Sequence, residues 1–220
     1  RETTALADAN TAILSVAFKE ERTITSLAQL TKTFQAWNRA LPIYHQLLRS
    51  DSPEDIEIVE VQNGSVDLVI KLNVDVAVNL AQLVKIGLQG YAAYLSYKLL
   101  IKPITDTYRG NQKLLQAEEE REKVLLENIG TAVEEEVARQ HDAAKKVDKD
   151  IHGTSVKRKI EEIAQLVTAH IVRGNDIKLL AVPQTDKQKA QMAVADDLRS
   201  TSADARSKLR ELPPAARQKL

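Results

Sequence analysis

The 220-residue chain contains no cysteine. That absence removes a disulfide framework, a thiolate metal site and thiol nucleophilic catalysis together, and it makes a reducing cytoplasm the expected compartment. Glycine is scarce and dispersed, seven residues in all. None opens a helix in the clustered pattern by which backbone amides cradle a phosphate. Net charge is also lacking, since 31 basic residues balance 31 acidic ones, which argues against a chain-wide electrostatic footprint for nucleic acid or anionic membrane. Position 1 is Arg and no basic-then-apolar leader follows it, so a signal peptide is expected to be absent or already removed. The longest uncharged run, Ile86 to Tyr97, is twelve residues, short of the roughly 17 to 25 that a membrane span needs.

Aromatic residues are few and unevenly placed. Phe18, Phe34, Trp37, Tyr44, Tyr91, Tyr94, Tyr97 and Tyr108 are all of them, and none follows Tyr108. Charge runs the other way, with 23 Asp, Glu, Lys and Arg residues in positions 1–110 and 39 in positions 111–220. The first half can anchor a core on large rings, whereas the second must rely on aliphatic stripes. The expected organisation is a compact domain over 1–108, a charged helical hairpin with a further strand over 111–182, and a weakly helical or mobile tail over 183–220. Any boundary is expected between Pro103 and Asn111.

Apolar spacing predicts the elements. Leu6, Ala9, Ile13, Val16 and Ala17 read as one face of a first helix over 4–21. Ser26 and Gln29 form a capping-box pair before Leu27, Leu30, Phe34, Trp37, Leu41, Tyr44 and Leu48, which predicts a second helix, kinked or broken near Pro42. Residues 51–54 read as a turn. Ile56 to Gln62, Asn63-Gly64 and Ser65 to Leu72 then spell a two-residue hairpin, in which Val61 would face Val66 and Val59 would face Leu68. The same register sets Glu60 opposite Asp67, an unfavourable like-charge pair that calls for a nearby cation or a bulge.

A long helix is expected from Asp75 to Lys102, polar only along Asn79, Gln82, Lys85, Gln89 and Ser96 and ended by Pro103. A helix apolar round most of its circumference is usually the centre of a fold. Beyond Gly110, an acidic segment over 118–136 followed by a basic one over 139–159 reads as one helix that complements its own macrodipole, weakened at Gly130. His152-Gly153-Thr154 should break it, with Ser155 capping the next helix. Val156, Ile160, Ile163, Val167 and Ile171 form that helix's apolar stripe, Gly174 its left-handed end, and Ile177 to Val182 a third strand. The fold class is therefore α+β and mainly helical, a small antiparallel hairpin or three-stranded sheet on a long central helix, followed by the charged helical hairpin.

Chemistry is sparse in this pattern. His45, His141, His152 and His170 show no zinc-binding spacing and read as surface or capping residues. Glu57, Glu60 and Asp67 cluster on the hairpin beside Lys71 and could in outline hold a divalent cation through oxygen ligands. No catalytic group or cofactor is assigned. Val133, Val137, Gln140, Ala144, Val147 and Ile151 repeat at heptad-like spacing and are the candidate seam for a protein partner or a second copy of the chain. Lys145, Lys146, Lys149, Lys157, Arg158 and Lys159 are candidate contacts for an acidic partner or for phosphates. The leading expectation is a non-enzymatic helical interaction or assembly subunit, homo-oligomeric or hetero-oligomeric. The alternative is a prokaryotic or phage-related effector or regulator acting on nucleic acid through the basic tract or the acidic hairpin face.

Overall fold

A computed structural model describes residues 10–18, 26–51, 56–62, 66–107, 110–151, 154–183 and 187–217. The fold is α+β and mainly helical, with a four-stranded antiparallel sheet. Its elements are β1 (Thr11–Phe18), α1 (Leu27–Leu48), β2 (Glu57–Gln62), β3 (Val66–Asn73), α2 (Val74–Leu100), α3 (Lys102–Asp106), α4 (Gln112–Val147), α5 (Val156–Val172), β4 (Asp176–Ala181), α6 (Gln188–Glu211) and α7 (Pro214–Arg217).

The expected first helix is instead a strand. Seven consecutive residues from Ala12 to Phe18 are almost wholly buried, because β1 lies between β3 and β4 in the order β2-β3-β1-β4. A short apolar run buried on both faces carries no alternation, so periodicity does not distinguish strand from helix there. Ala12, Leu14, Val16 and Phe18 join the main core, while Ile13 packs with Val69 and Ala181 in a second, smaller cluster. The strand order and directions are those of a split βαβ arrangement, with four helices inserted between β3 and β4.

The hairpin forms with a different register from the one its sequence suggested. Val61 lies opposite Leu68, Gln62 opposite Asp67 and Glu60 opposite Val69, with a register shift between Ile58 and Glu60. The like-charge conflict is thus avoided by the pairing of Glu60–Gln62 with Asp67–Val69, and the shift beyond Glu60 brings Glu57 opposite Lys71. The Asn63-Gly64 turn lies outside the described residues, as do Ser52, Pro53 and Glu54 of the turn expected before the hairpin. A second irregularity interrupts the pairing of β1 with β4 at Ile13/Leu14. Both edge strands, β2 and β4, are therefore bulged, a device that discourages pairing with foreign strands.

α1 starts as expected, with the Ser26 hydroxyl accepting from the Gln29 amide at 3.3 Å. It runs unbroken through Pro42. The carbonyl deprived of its bond belongs to Asn38, an exposed residue, where water can replace the lost donor. α2 is buried along most of its length, from Val76 to Lys98, and it contacts β1, β3, β4 and the helices α1, α3, α4, α5 and α6. It ends at Leu100 rather than at Pro103, which instead occupies the first turn of α3, where a missing N–H costs nothing.

α4 runs straight through Gly130 as one helix of 36 residues. Ser155 does not cap α5 with its side chain. It adopts a left-handed conformation at φ 59°, while Gly174 closes the same helix at φ 76° as its position suggested. Beyond Pro183, where one weak helix was expected, α6 runs for 24 residues. α6 lies along α2 and β4, burying Gln191, Leu198, Ser202 and Ala205.

A single hydrophobic cluster links Trp37 and Tyr44 of α1, Leu83 and Leu95 of α2, Ile129 and Val133 of α4, Ile163 and Ile171 of α5, and Leu198 of α6. The change of composition at Tyr108 therefore does not coincide with a division of this core.

Candidate interaction surfaces and buried polar clusters

The heptad-like seam is filled from within the chain. Val133 and Val137 are fully buried, and Gln140 and Ile151 nearly so. Gln140 explains why a polar residue sits in this seam. Its side-chain carbonyl accepts a short hydrogen bond from the Tyr44 hydroxyl, and its amide donates to the Asn79 backbone carbonyl at 3.0 Å and to Glu136 at 2.9 Å. One side chain thereby fixes the register of α4 against α1 and α2. Burial, reinforced by Glu136, pushes the Tyr44 phenol well above its usual range, so it remains a donor. Arg139 grips Glu136 with two bonds of 2.6 Å and holds that carboxyl below its usual value. Ala144 is half-buried, and Val147 is the one seam member left outside, at 89% exposure.

The expectation of a surface position fails for three of the histidines, although His141 does act as a cap. His45, His141 and His170 are buried; His152 lies outside the described residues. His141 Nδ1 donates to the Leu47 carbonyl at 2.7 Å, tying α4 to the end of α1. His170 Nε2 donates to the Asp176 carbonyl at 3.1 Å, and its ring meets Phe18 and Trp37 edge-on at 5.1 and 5.2 Å. Burial lowers its pKa to about 4, so it is a neutral imidazole near pH 7.

Close to His170 lies a serine–carboxylate pair. Ser202 Oγ donates to Asp176 Oδ1 at 2.7 Å, and Arg206 bonds the other oxygen. The residue types resemble those of a nucleophilic triad, but the connections do not. The imidazole addresses a backbone carbonyl, and the serine proton points at the carboxylate, so the histidine is not placed to take the serine's proton as it does in a triad. The cluster instead docks α6 onto β4, with Lys85–Asp197 at 2.7 Å as a second tie to α2.

The acidic hairpin residues are placed by the bulged register of β2 on β3. Glu57 forms an ion pair with Lys71 at 3.6 Å, whereas Asp67 and Glu60 occupy register positions opposite Gln62 and Val69. No group of three or more His, Cys, Asp or Glu able to hold a metal occurs among the described residues. A groove of about 340 Å³ between α1 and α5 is lined by Lys32, Arg39, Glu162 and Leu166 among others. Arg39 and Glu162 neutralise one another across it at 2.6 Å, and among the described residues no Ser, Thr or His lines it.

Two surfaces remain distinctive. At the α2–α3 corner, Leu100, Ile101 and Ile104 are 68, 40 and 59% exposed. Beneath them Glu122 of α4 bridges Lys98 at 2.9 Å and Lys102 at 3.0 Å, and the Lys98 ammonium sits 5.5 Å from the centre of the Tyr94 ring. Burial, with the Glu122 charge, pushes the Tyr94 phenol up to about 12. At the α4–α5 corner, Lys145, Lys146, Lys149, Lys157 and Arg158 are exposed. Lys159 is not equivalent to them, because it is half-buried and bonds Gln46 at 3.1 Å. The apolar corner was not singled out in the sequence. Its only trace there is three large aliphatics on either side of the Lys102-Pro103 pair.

The chain matches no protein-family profile, no curated protein and no solved structure. Among the described residues, no helix is long and apolar enough to cross a membrane.

Proposed function

We propose that the protein is a non-enzymatic assembly subunit that associates through the α2–α3 corner, and that its partner there is a second copy of the chain. The observation carrying this reading is the exposure of Leu100, Ile101 and Ile104 within five residues. Clustered aliphatic side chains on a rigid corner mark an association surface more often than a solvated one. The Lys98–Glu122–Lys102 bridge ties this corner to α4. An aliphatic patch is complementary to itself across a twofold axis and needs no second surface of matching chemistry.

Light scattering at tens of micromolar is expected to give a dimer. The double substitution Leu100→Glu with Ile104→Glu is expected to give a monomer with unchanged helical content. A wild-type chain that stays strictly monomeric overturns the reading.

A further inference from the structure

We propose that the α4–α5 corner is a contact surface for the phosphate backbone of double-stranded nucleic acid, without sequence preference. In the linear sequence the basic tract is interrupted by acidic residues, and that interleaving argues against a phosphate surface. Folding removes much of the objection. Asp148, in the middle of the tract, is turned back toward the end of α1, where it accepts from the Ser50 amide at 3.1 Å and from the Ser50 hydroxyl at 2.7 Å. Those bonds hold its carboxyl below the usual range. Its other oxygen accepts from the Asp150 amide at 3.0 Å, so both oxygens are engaged within the chain.

Lys145, Lys146 and Lys149 at the end of α4, and Lys157 and Arg158 at the start of α5, remain exposed. The short connection between the two helices brings them to one corner. Lys157 makes a long ion pair with Glu161 at 3.8 Å. The other four make no ion pair among the described residues, and Asp150 is the only acidic residue left exposed between Lys145 and Arg158.

The character of these cations selects the partner. Lysine is depleted at the centre of protein interfaces, which are built on aromatic, methionine and arginine anchors. This corner has no Phe, Tyr or Trp in its sequence, and among the described residues Val147 is its only exposed large apolar side chain. Compact ammonium groups on flexible stems fit a line of phosphates. Without a Phe, Tyr or Trp on which bases could stack, a duplex is favoured over an unpaired strand. Contacts of this kind position the polymer and read no bases.

The test is fluorescence anisotropy with a labelled 25-base-pair DNA duplex and the full chain over a range of salt. Three to five neutralised phosphates at about −0.9 each give a slope of log K against log salt of about −2.7 to −4.5, a loss of roughly 40- to 500-fold between 50 and 200 mM. The triple substitution Lys145→Gln, Lys146→Gln and Lys149→Gln is expected to weaken binding at least about tenfold at 50 mM and to flatten the slope by up to about 2.7. Its melting temperature should be unchanged, because all three side chains are exposed. Lys113→Gln with Lys189→Gln, two exposed lysines elsewhere, serves as the control and should leave binding intact. The proposal is overturned by undetectable duplex binding at 50 mM, by binding that the triple substitution leaves intact, or by poly-glutamate or phosphatidylserine vesicles binding where the duplex does not.

Discussion

The aromatic-rich stretch up to Tyr108 and the aromatic-free stretch beyond it look like two kinds of protein, yet they meet in one core. The first contributes Trp37 and Tyr44; the second answers with Ile129, Val133, Ile163, Ile171 and Leu198. What differs is how each stretch is exposed. α2 is covered on nearly every side, so its few polar groups have to find partners inside the protein. α4 buries one stripe, with Glu118 and Glu136 in it, and leaves most of its charge in water. Composition therefore reports how much of an element faces solvent, and it does not report where one cooperative unit ends.

The strongest way to break this comparison is to damage each stretch separately. Trp37→Ala should destabilise the fold by about 3–5 kcal/mol and Ile129→Ala by about 2–5 kcal/mol, since each removes a buried side chain from a packed core. Both should shift one shared denaturant transition. In the Ile129 variant, Trp37 provides the sole tryptophan fluorescence signal, to be followed beside helical circular dichroism. If Ile129→Ala moves the dichroism midpoint and leaves the fluorescence midpoint in place, the two stretches unfold independently and a domain boundary near Pro103 to Asn111 is restored.

A smaller effect comes from His170, which joins α5 of the aromatic-free stretch to the rings of Phe18 and Trp37. Its folded pKa is about 4, against about 6.5 when unfolded. Between those values the unfolded chain binds more protons than the folded one, so stability is complete above pH 6.5 and is lost as pH falls toward 4. From pH 7 to pH 5 the loss attributable to this group is about 2 kcal/mol. Urea denaturation at the two pH values should show that increment in the wild type and lose it in His170→Gln. An equal pH dependence in both proteins would mean that the imidazole is not held neutral by burial.

How much of this was legible in the sequence depended on the kind of information each element needed. α1, α4 and α5 were readable because half-buried helices leave a one-sided stripe. β1 was not, since a central strand is apolar on both faces and its residues also fit helical spacing. α6 was expected only as a weak helix for the opposite reason: it docks with Gln191, Ser202 and Ala205, residue types that read as solvent-facing, and its ties to Asp176 and Lys85 are long-range. The seam on α4 was found, but its occupant was not. Nothing in a heptad spacing distinguishes a partner chain from α1 and α2 of the same chain. The basic corner was likewise visible as a run of lysines, while the inward turn of Asp148 depended on Ser50, 98 positions away.

Two glycines offer the finest test of the contrast between covered and open helices. Each lies inside a helix, where glycine costs about 0.5–1 kcal/mol relative to alanine. At Gly130 on α4 an added Cβ meets nothing within 4 Å, so Gly130→Ala should return that amount as stability. At Gly87 on α2 the same atom would come within 2.4 Å of Ile171 Cδ1 and 3.2 Å of Val133 Cγ2. Both neighbours are buried and belong to the aromatic-free stretch, so the methyl has to displace a packed side chain. Overpacking of that kind costs roughly 1–3 kcal/mol, which exceeds the gain in helix propensity and leaves Gly87→Ala destabilised by up to about 2 kcal/mol. Opposite signs in thermal melts of the two variants would establish that α2 is clamped by α4 and α5, while α4 keeps its own back open to water. The same sign in both would mean that Ile171 repacks freely and that the two stretches press on one another less closely than their shared core implies.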